Sequence, residues 1–289
     1  MLRLTKVLRT RALARALPTL ALGVVDTLMA AADAEAAEPK PWQFGFQPSA
    51  TEVMDRLSAF HDLLLIIITL IAAFVLGLLV YVMWRFNNQR NPLPSRTSHN
   101  TVIEMLWTVV PVLILISIAI PSFKLMYYMD RVPNPEMTIK VTGHQWYWSY
   151  EYPDQGGLAF DSNIIPEDQL KAGQKRLLDV DNPLVVPADT IIRVTVTGTD
   201  VIHSWFIPSF GVQEYAIVGR LNESWMKIDR SGTYYGQCSE LCGRDHAFMP
   251  INVRVVSEQA FATWLADAKK KYAVKDNARI NLAAVQSGP

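Results

Sequence analysis

Two stretches without a charged residue limit this chain more than any other feature. Residues 63–84 make up 22 positions and residues 105–123 make up 19, and neither stretch holds Asp, Glu, Lys or Arg. A helix needs about 20 apolar residues to cross the hydrocarbon core of a bilayer. Each stretch therefore reads as a membrane-spanning helix, with flanks giving spans of 59–86 and 102–129 and a loop of 87–101. Two buried helices of a large soluble domain are the alternative, but buried helices seldom run uncharged for so long. Pro111 and Pro121 fall in the second stretch. Membrane helices tolerate proline where neighbouring groups satisfy the freed carbonyl. Residues 85–100 carry Arg85, Arg90 and Arg96 and no acid. The positive-inside rule places this loop in the cytoplasm, or in the matrix of a mitochondrion. Residues 37–58 and everything from about residue 130 then lie on the opposite side.

The first fifteen residues hold Arg3, Lys6, Arg9, Arg11 and Arg15 and no acid. An apolar stretch over 16–32, interrupted by Asp26, leads to small-residue sites at 32–34 and 34–36. This is the layout of a secretory signal, expected to be cleaved near residue 36. A mitochondrial transit peptide is the competing reading. Residues 1–36 are accordingly set apart from the fold. The expected location is the bacterial inner membrane, with the mitochondrial inner membrane as the alternative.

With 27 basic and 27 acidic residues the chain is formally neutral. That argues against a nucleic-acid binder, which needs a basic excess. An apolar content of 50% excludes a disordered chain, and two cysteines exclude a disulfide-dense scaffold. Neutrality hides an asymmetry: residues 130–256 hold 16 acids and 11 bases, a net of −5. Such a surface suits a basic partner arriving by electrostatic steering, and it equally serves plain solubility.

Short runs rich in β-branched and aromatic residues fall at 137–152, 176–180, 190–197, 224–228 and 251–256, separated by turn signals. They predict a β sandwich or barrel of about 120 residues. Residues 257–271 change period and predict an amphipathic helix, followed by a frayed tail to 289.

Residues 236–250 read Gly-Gln-Cys-Ser-Glu-Leu-Cys-Gly-Arg-Asp-His-Ala-Phe-Met-Pro. Cys238, Cys242, His246 and Met249 are spaced four, four and three apart, and His203 offers a second imidazole upstream. Soft sulfur with imidazole selects copper. Zinc bound by two thiols and two imidazoles would leave Met249 without a role. One thiolate would suit a mononuclear blue-copper site; two can bridge a pair of copper ions, each completed by one histidine and one weaker donor. Met249 and a backbone carbonyl near Glu240 are the weaker donors. A disulfide between the cysteines is the plain alternative in an oxidising compartment.

With this loop placed behind two membrane helices on a β domain, the chain resembles subunit II of cytochrome c oxidase, of the haem–copper family. The resemblance runs from about Phe44 to Ala268. It implies a two-helix transmembrane hairpin and an all-β Greek-key cupredoxin sandwich carrying a dinuclear copper A centre. The implied ligands are His203, Cys238, Cys242, His246, Met249 and the carbonyl of Glu240. The Glu240 carboxylate would reach a magnesium ion shared with subunit I. Trp146, in His144-Gln-Trp-Tyr-Trp-Ser-Tyr-Glu151, resembles the exposed tryptophan that receives electrons from cytochrome c. As a plain strand the motif would put Trp146, Trp148 and Tyr150 on one packed face. Glu151, Asp181 and Asp200 align with acids facing the basic rim of cytochrome c. Glu104, at the head of the second span, matches the mouth of a proton channel, or serves the helix dipole alone. His144, His61 and His99 read as structural.

The resemblance further implies electron delivery to haem a of subunit I. There oxygen is reduced to water at haem a3–CuB with proton pumping, beside subunit III. Gln213, Tyr215 and Val218 depart from the family pattern, which has Lys, Asp and Pro there, so the usual contacts with subunit I are in doubt. A quinol-oxidase subunit would lack the copper ligands. A copper carrier would need neither Glu240 nor the Trp146 strand. The copper domain of nitrous oxide reductase lacks the membrane hairpin, and no Cys-x-x-Cys-His is present for a fused cytochrome domain.

Overall fold

The computed structural model describes residues 37–286, with side-chain surroundings up to Tyr272. The expected signal at 1–36 lies outside the described residues. Helix α1 spans Glu52–Arg85, and Thr51 caps it by accepting from Met54 N. Helix α2 spans Thr101–Asp130, and the Asn100 side chain accepts from the amides of Val102 and Ile103. At about 1.5 Å per residue, the 34 residues of α1 reach some 50 Å, well beyond the ~30 Å of hydrocarbon. Polar residues at the helix ends therefore stand clear of the bilayer. The apolar windows of both helices are unburied within the chain. Their surface is matched to lipid or to another protein.

Ten strands follow: β1 (Met137–His144), β2 (Tyr147–Tyr152), β3 (Leu158–Ser162), β4 (Leu184–Pro187), β5 (Ile192–Gly198), β6 (His203–Ile207), β7 (Val212–Ala216), β8 (Asn222–Met226), β9 (Gly232–Cys238) and β10 (Pro250–Val256). They form two five-stranded sheets, ordered β3-β2-β1-β5-β8 and β4-β10-β9-β6-β7. Most neighbours are antiparallel, but β1 runs parallel to β5 and β4 parallel to β10. The parallel pairs arise because the chain passes between sheets before returning. Alternation does the packing: Ile139 and Val141 of β1, Trp148, Tyr150 and Tyr152 of β2, and Val194 and Val196 of β5 are all fully buried. Helix α3 (Glu258–Gln286) packs along one edge of the sandwich, against the edge strands β3 and β4. Its Trp264 ring lies 5.5 Å from Tyr152 and its Tyr272 ring 4.9 Å from Phe160.

Three local expectations are corrected. The run 137–152 is two strands, broken at Gln145 and Trp146. Trp146 therefore does not share the buried face of Trp148 and Tyr150: it sits in the β1–β2 turn, where hairpin pairing reverses the chain. Residues 176–180 form no strand, and only Val180 makes an isolated bridge, to Ile164. Lys175, Arg176 and their neighbours instead form turns, with Arg176 pairing with Glu167 at 2.8 Å. The last helix runs on to Gln286, past the 257–271 read from the sequence.

The hairpin meets the β domain at a polar joint. Buried Thr51 donates through Oγ1 to Phe210 O at 2.7 Å while it caps α1. Tyr128 of α2 donates to Glu52 Oε2 at 2.9 Å, and its ring meets Trp225 of β8 edge-on at 5.5 Å.

Candidate metal centre

His203 opens β6 and Cys238 closes β9, and these strands pair with Trp205 opposite Cys238. The loop after β9 turns back through Cys242 and a short 3-10 turn, His246–Phe248, to deliver Met249 at the start of β10. Five side-chain donors separated by up to 46 residues are thus gathered at one end of one sheet. Cys238 Sγ lies 3.8 Å from Cys242 Sγ, 4.0 Å from His203 Nδ1 and 3.4 Å from Glu240 O. Cys242 Sγ lies 3.6 Å from His246 Nδ1 and 3.5 Å from Met249 Sδ. His203, Cys238, Cys242 and Met249 are buried and His246 is partly so. The donor atoms of His203, Cys238 and Cys242 lie within 4.8 Å of one another.

The disulfide alternative fails on distance. Both cysteines are free thiols, and 3.8 Å far exceeds the ~2.05 Å of an S–S bond. The two thiols differ in acidity. Burial raises Cys238, but hydrogen bonding with His203 and with the backbone at Ser204 and Glu240 outweighs it and pulls the thiol below its ordinary value. Burial and then the neighbouring Cys238 push Cys242 up to about 12. At 3.8 Å the charge of one thiolate opposes loss of the other's proton, and a bound cation favours losing both. Two thiolates, two imidazoles, a thioether and a carbonyl directed at one buried space fit soft copper ions. They leave no donor idle, as a four-coordinate zinc site would.

The aromatic motif wraps this space. Trp148 Nε1 donates to Met249 O at 3.1 Å, and its ring meets His203 edge-on at 5.9 Å. Trp146, partly exposed, donates from Nε1 to Cys242 O at 3.2 Å, and Gln145 Nε2 donates to the same oxygen at 2.8 Å. A Cβ on Gly143 would come within 2.9 Å of the His203 ring, so only glycine lets the imidazole lie there. Gly243 has φ +123°, and a Cβ there would press on Trp146 at 3.0 Å. The Arg244 guanidinium lies 5.6 Å above Trp146 and pairs with Asp245. Sequence reasoning missed Gly143, Gln145 and Trp148. Their only signal was adjacency to Trp146, because the contacts they make lie about 60 to 100 residues away.

The remaining candidate residues are placed as follows. Glu151 pairs with Lys140 at 3.0 Å. Asp181 accepts from Asn163 N at 2.8 Å. Asp200 accepts from Gln145 N and Val201 N at 2.7 Å each and meets His203 Nε2 at 2.8 Å. Glu104 Oε1 accepts from Asn100 N at 3.2 Å, a capping contact at the head of α2. The partly buried Glu240 lends its backbone to the centre. Gln213 Nε2 donates to Ser239 Oγ at 3.3 Å, while Tyr215 and Val218 are exposed. His144 stacks on Tyr147 at 4.4 Å and contacts Ser149 and Thr199, which is a packing role. His61 meets Phe46 edge-on.

A membrane hairpin bearing a β sandwich of the cupredoxin kind, with a sulfur-rich donor cluster able to hold a metal at one end of the sandwich, is the class that fold and site define. The sequence matches two families, described as "Cytochrome C oxidase subunit II, periplasmic domain" over residues 137–256 and "Cytochrome C oxidase subunit II, transmembrane domain" over residues 39–125. The chain belongs to the cytochrome c oxidase subunit II family. It is 49% identical to the probable cytochrome c oxidase subunit 2 of Rickettsia bellii, over 85% of this chain and 91% of that one. It is 51% identical to the cytochrome c oxidase subunit 2 of Oenothera berteroana, over 81% of this chain and 92% of that one. The crystal structure of the periplasmic domain of subunit II (CoxB) of Bradyrhizobium japonicum aligns at 57% identity and a TM-score of 0.46, covering 49% of this chain and 99% of that one.

Proposed function

We propose that this chain is the electron-transfer subunit of a terminal oxidase, accepting electrons from cytochrome c at a dinuclear copper A centre and passing them to haem a of subunit I. The observation that carries the reading is the convergence of Cys238, Cys242, His203, His246, Met249 and the Glu240 carbonyl on one buried space. When bound, a pair of copper ions would supply one-electron storage with the charge shared between them.

The protein's residues do the rest. Cys238 and Cys242 would hold the copper ions through their thiolates, His203 and His246 through imidazole nitrogens, and Met249 and the Glu240 carbonyl would be the weaker donors. His203 and Cys238 are fixed by the paired strands β6 and β9, and the short β9–β10 connection packed against them carries the other four donors, so the ligand set resists rearrangement when its charge changes. Trp146 is the acceptance point: partly exposed, it is hydrogen-bonded to the carbonyl of a bridging cysteine. Glu151, Asp181 and Asp200 favour a basic donor, supported by the acidic balance of the domain. The Glu240 carboxylate would hold a magnesium ion shared with subunit I. Glu104 marks a proton path on the opposite side of the membrane. The β domain faces the periplasm of a bacterial inner membrane, supported by the arginines of the interhelical loop. Oxygen reduction and proton pumping belong to subunit I, assembled with subunit III.

Copper analysis and EPR on the purified full-length chain test the reading. Two copper ions per chain and a hyperfine pattern from one electron shared by two nuclei are expected, and Cys242→Ser should abolish that pattern. One copper per chain at saturation, or a mononuclear signal, would overturn it. Trp146→Phe should slow electron uptake from cytochrome c while leaving binding nearly unchanged.

A further inference from the structure

Asp200 stands among the acids that would attract a basic donor, yet its oxygens are directed into the protein. Oδ1 accepts from Val201 N at 2.7 Å and lies 2.8 Å from His203 Nε2, and Oδ2 accepts from Gln145 N at 2.7 Å. Two of these donors come from the head of β6 and the third, Gln145, from the β1–β2 turn, 55 residues from Asp200. The side chain of His203 has no exposed surface, whereas that of Asp200 is 31% exposed. His203 thus has one ring nitrogen toward the carboxylate and the other, Nδ1, toward Cys238 Sγ.

We propose that Asp200 is the positioning residue of the metal centre. An imidazole can give a metal only its unprotonated nitrogen, and the partner of the other nitrogen selects which one that is. With Nε2–H donated to Oδ1, Nδ1 is left free and aimed at the thiols, and the ring plane is fixed. Oδ2 does a second task by holding Gln145. That residue's amide reaches Cys242 O beside Trp146 Nε1. A chain of hydrogen bonds therefore runs from His203 through Asp200 and Gln145 to the second cysteine and the exposed indole. The inference rests on the copper reading above.

The test compares Asp200→Ala with Asp200→Asn in the full-length chain within the assembled oxidase. Asparagine keeps one oxygen for His203 but sets an NH2 against Gln145 N–H and carries no charge. Copper retention against a copper(I) chelator, the EPR hyperfine pattern and the reduction potential are read alongside cytochrome c affinity. Alanine should weaken copper retention about 10- to 100-fold and change the hyperfine pattern and potential. Asparagine should stay within a few-fold of the parent in retention and keep its pattern.

If both variants keep the parent's copper properties and lose only donor affinity, Asp200 is a docking acid and the proposal is overturned. Equal copper loss in both would assign the effect to charge and also overturn it. Should the alanine variant fail to assemble, proton ENDOR on the unaltered oxidase decides. A slowly exchanging His203 Nε2 proton is expected, and rapid exchange into D2O overturns the assignment. Failure of the copper reading itself would look different, as no dinuclear signal would arise in the unaltered chain.

Discussion

The membrane hairpin and the β domain bury apolar residues by opposite means. In α1 and α2 the apolar side chains point outward: Leu76 is 61% exposed and Leu115 66%. Their solvent is lipid or another subunit, and each helix satisfies its own backbone. In the β domain Trp148, Trp205, Tyr150 and Tyr152 are fully enclosed by two sheets and α3. A segment that solvates itself in lipid needs only composition and length. A domain that makes its own interior needs partners at the right register, and only such an interior can hold six donors from distant positions in one place.

Core truncation should separate the regions most sharply. Trp148→Ala removes a fully buried ring and the bond to Met249 O, and should destabilise the β domain by about 3–5 kcal/mol. Urea unfolding followed by near-UV circular dichroism should show the loss while the helical far-UV signal of the hairpin persists. If both signals fall together, the two regions form one cooperative unit.

The joint comes next. Thr51→Ala deletes both the α1 cap and the buried bond to Phe210 O, at about 1–2 kcal/mol. A lower melting temperature of the β domain in response to a substitution beside the hairpin would measure how far the two regions support each other. An unchanged melt would make the joint a passive tether.

Glu104 probes the hairpin alone. As a cap contacting Asn100 N, its replacement by Gln should cost well under ~1 kcal/mol and leave turnover unchanged. As the mouth of a proton path, Glu104→Gln should slow steady-state oxygen consumption several-fold with copper reduction normal. Turnover of the assembled oxidase separates the two.

The smallest effect concerns acid. Burial holds His144 below its ordinary 6.5, against the pull of Asp200 and Asp161. The unfolded chain therefore binds the proton more readily than the folded one. The stability His144 lends is complete above about pH 6.5 and is lost as pH falls through the folded value. His144→Gln should flatten the decline of the β domain's melting temperature over that window and leave the hairpin's helicity as it is.

The sequence by itself determined the hairpin, the β class of the following domain and the donor set with its spacing. Each is carried by local composition: uncharged runs for lipid, β-branched runs for strands, and Cys, His and Met at short offsets for a soft ion. The helix ends were less legible, because α1 begins at a cap, Thr51, well ahead of its apolar run. Only the tertiary structure decided that Trp146 leaves the strand while Trp148 enters the core, since hairpin pairing sets where β1 ends. It alone brought His203 to within 4.0 Å of a cysteine 35 residues away. It also turned Asp200 from a surface acid into a partner of that histidine. Long-range pairing of β6 with β9 sets these distances, and it depends on the register of the whole sheet rather than on the residues nearby.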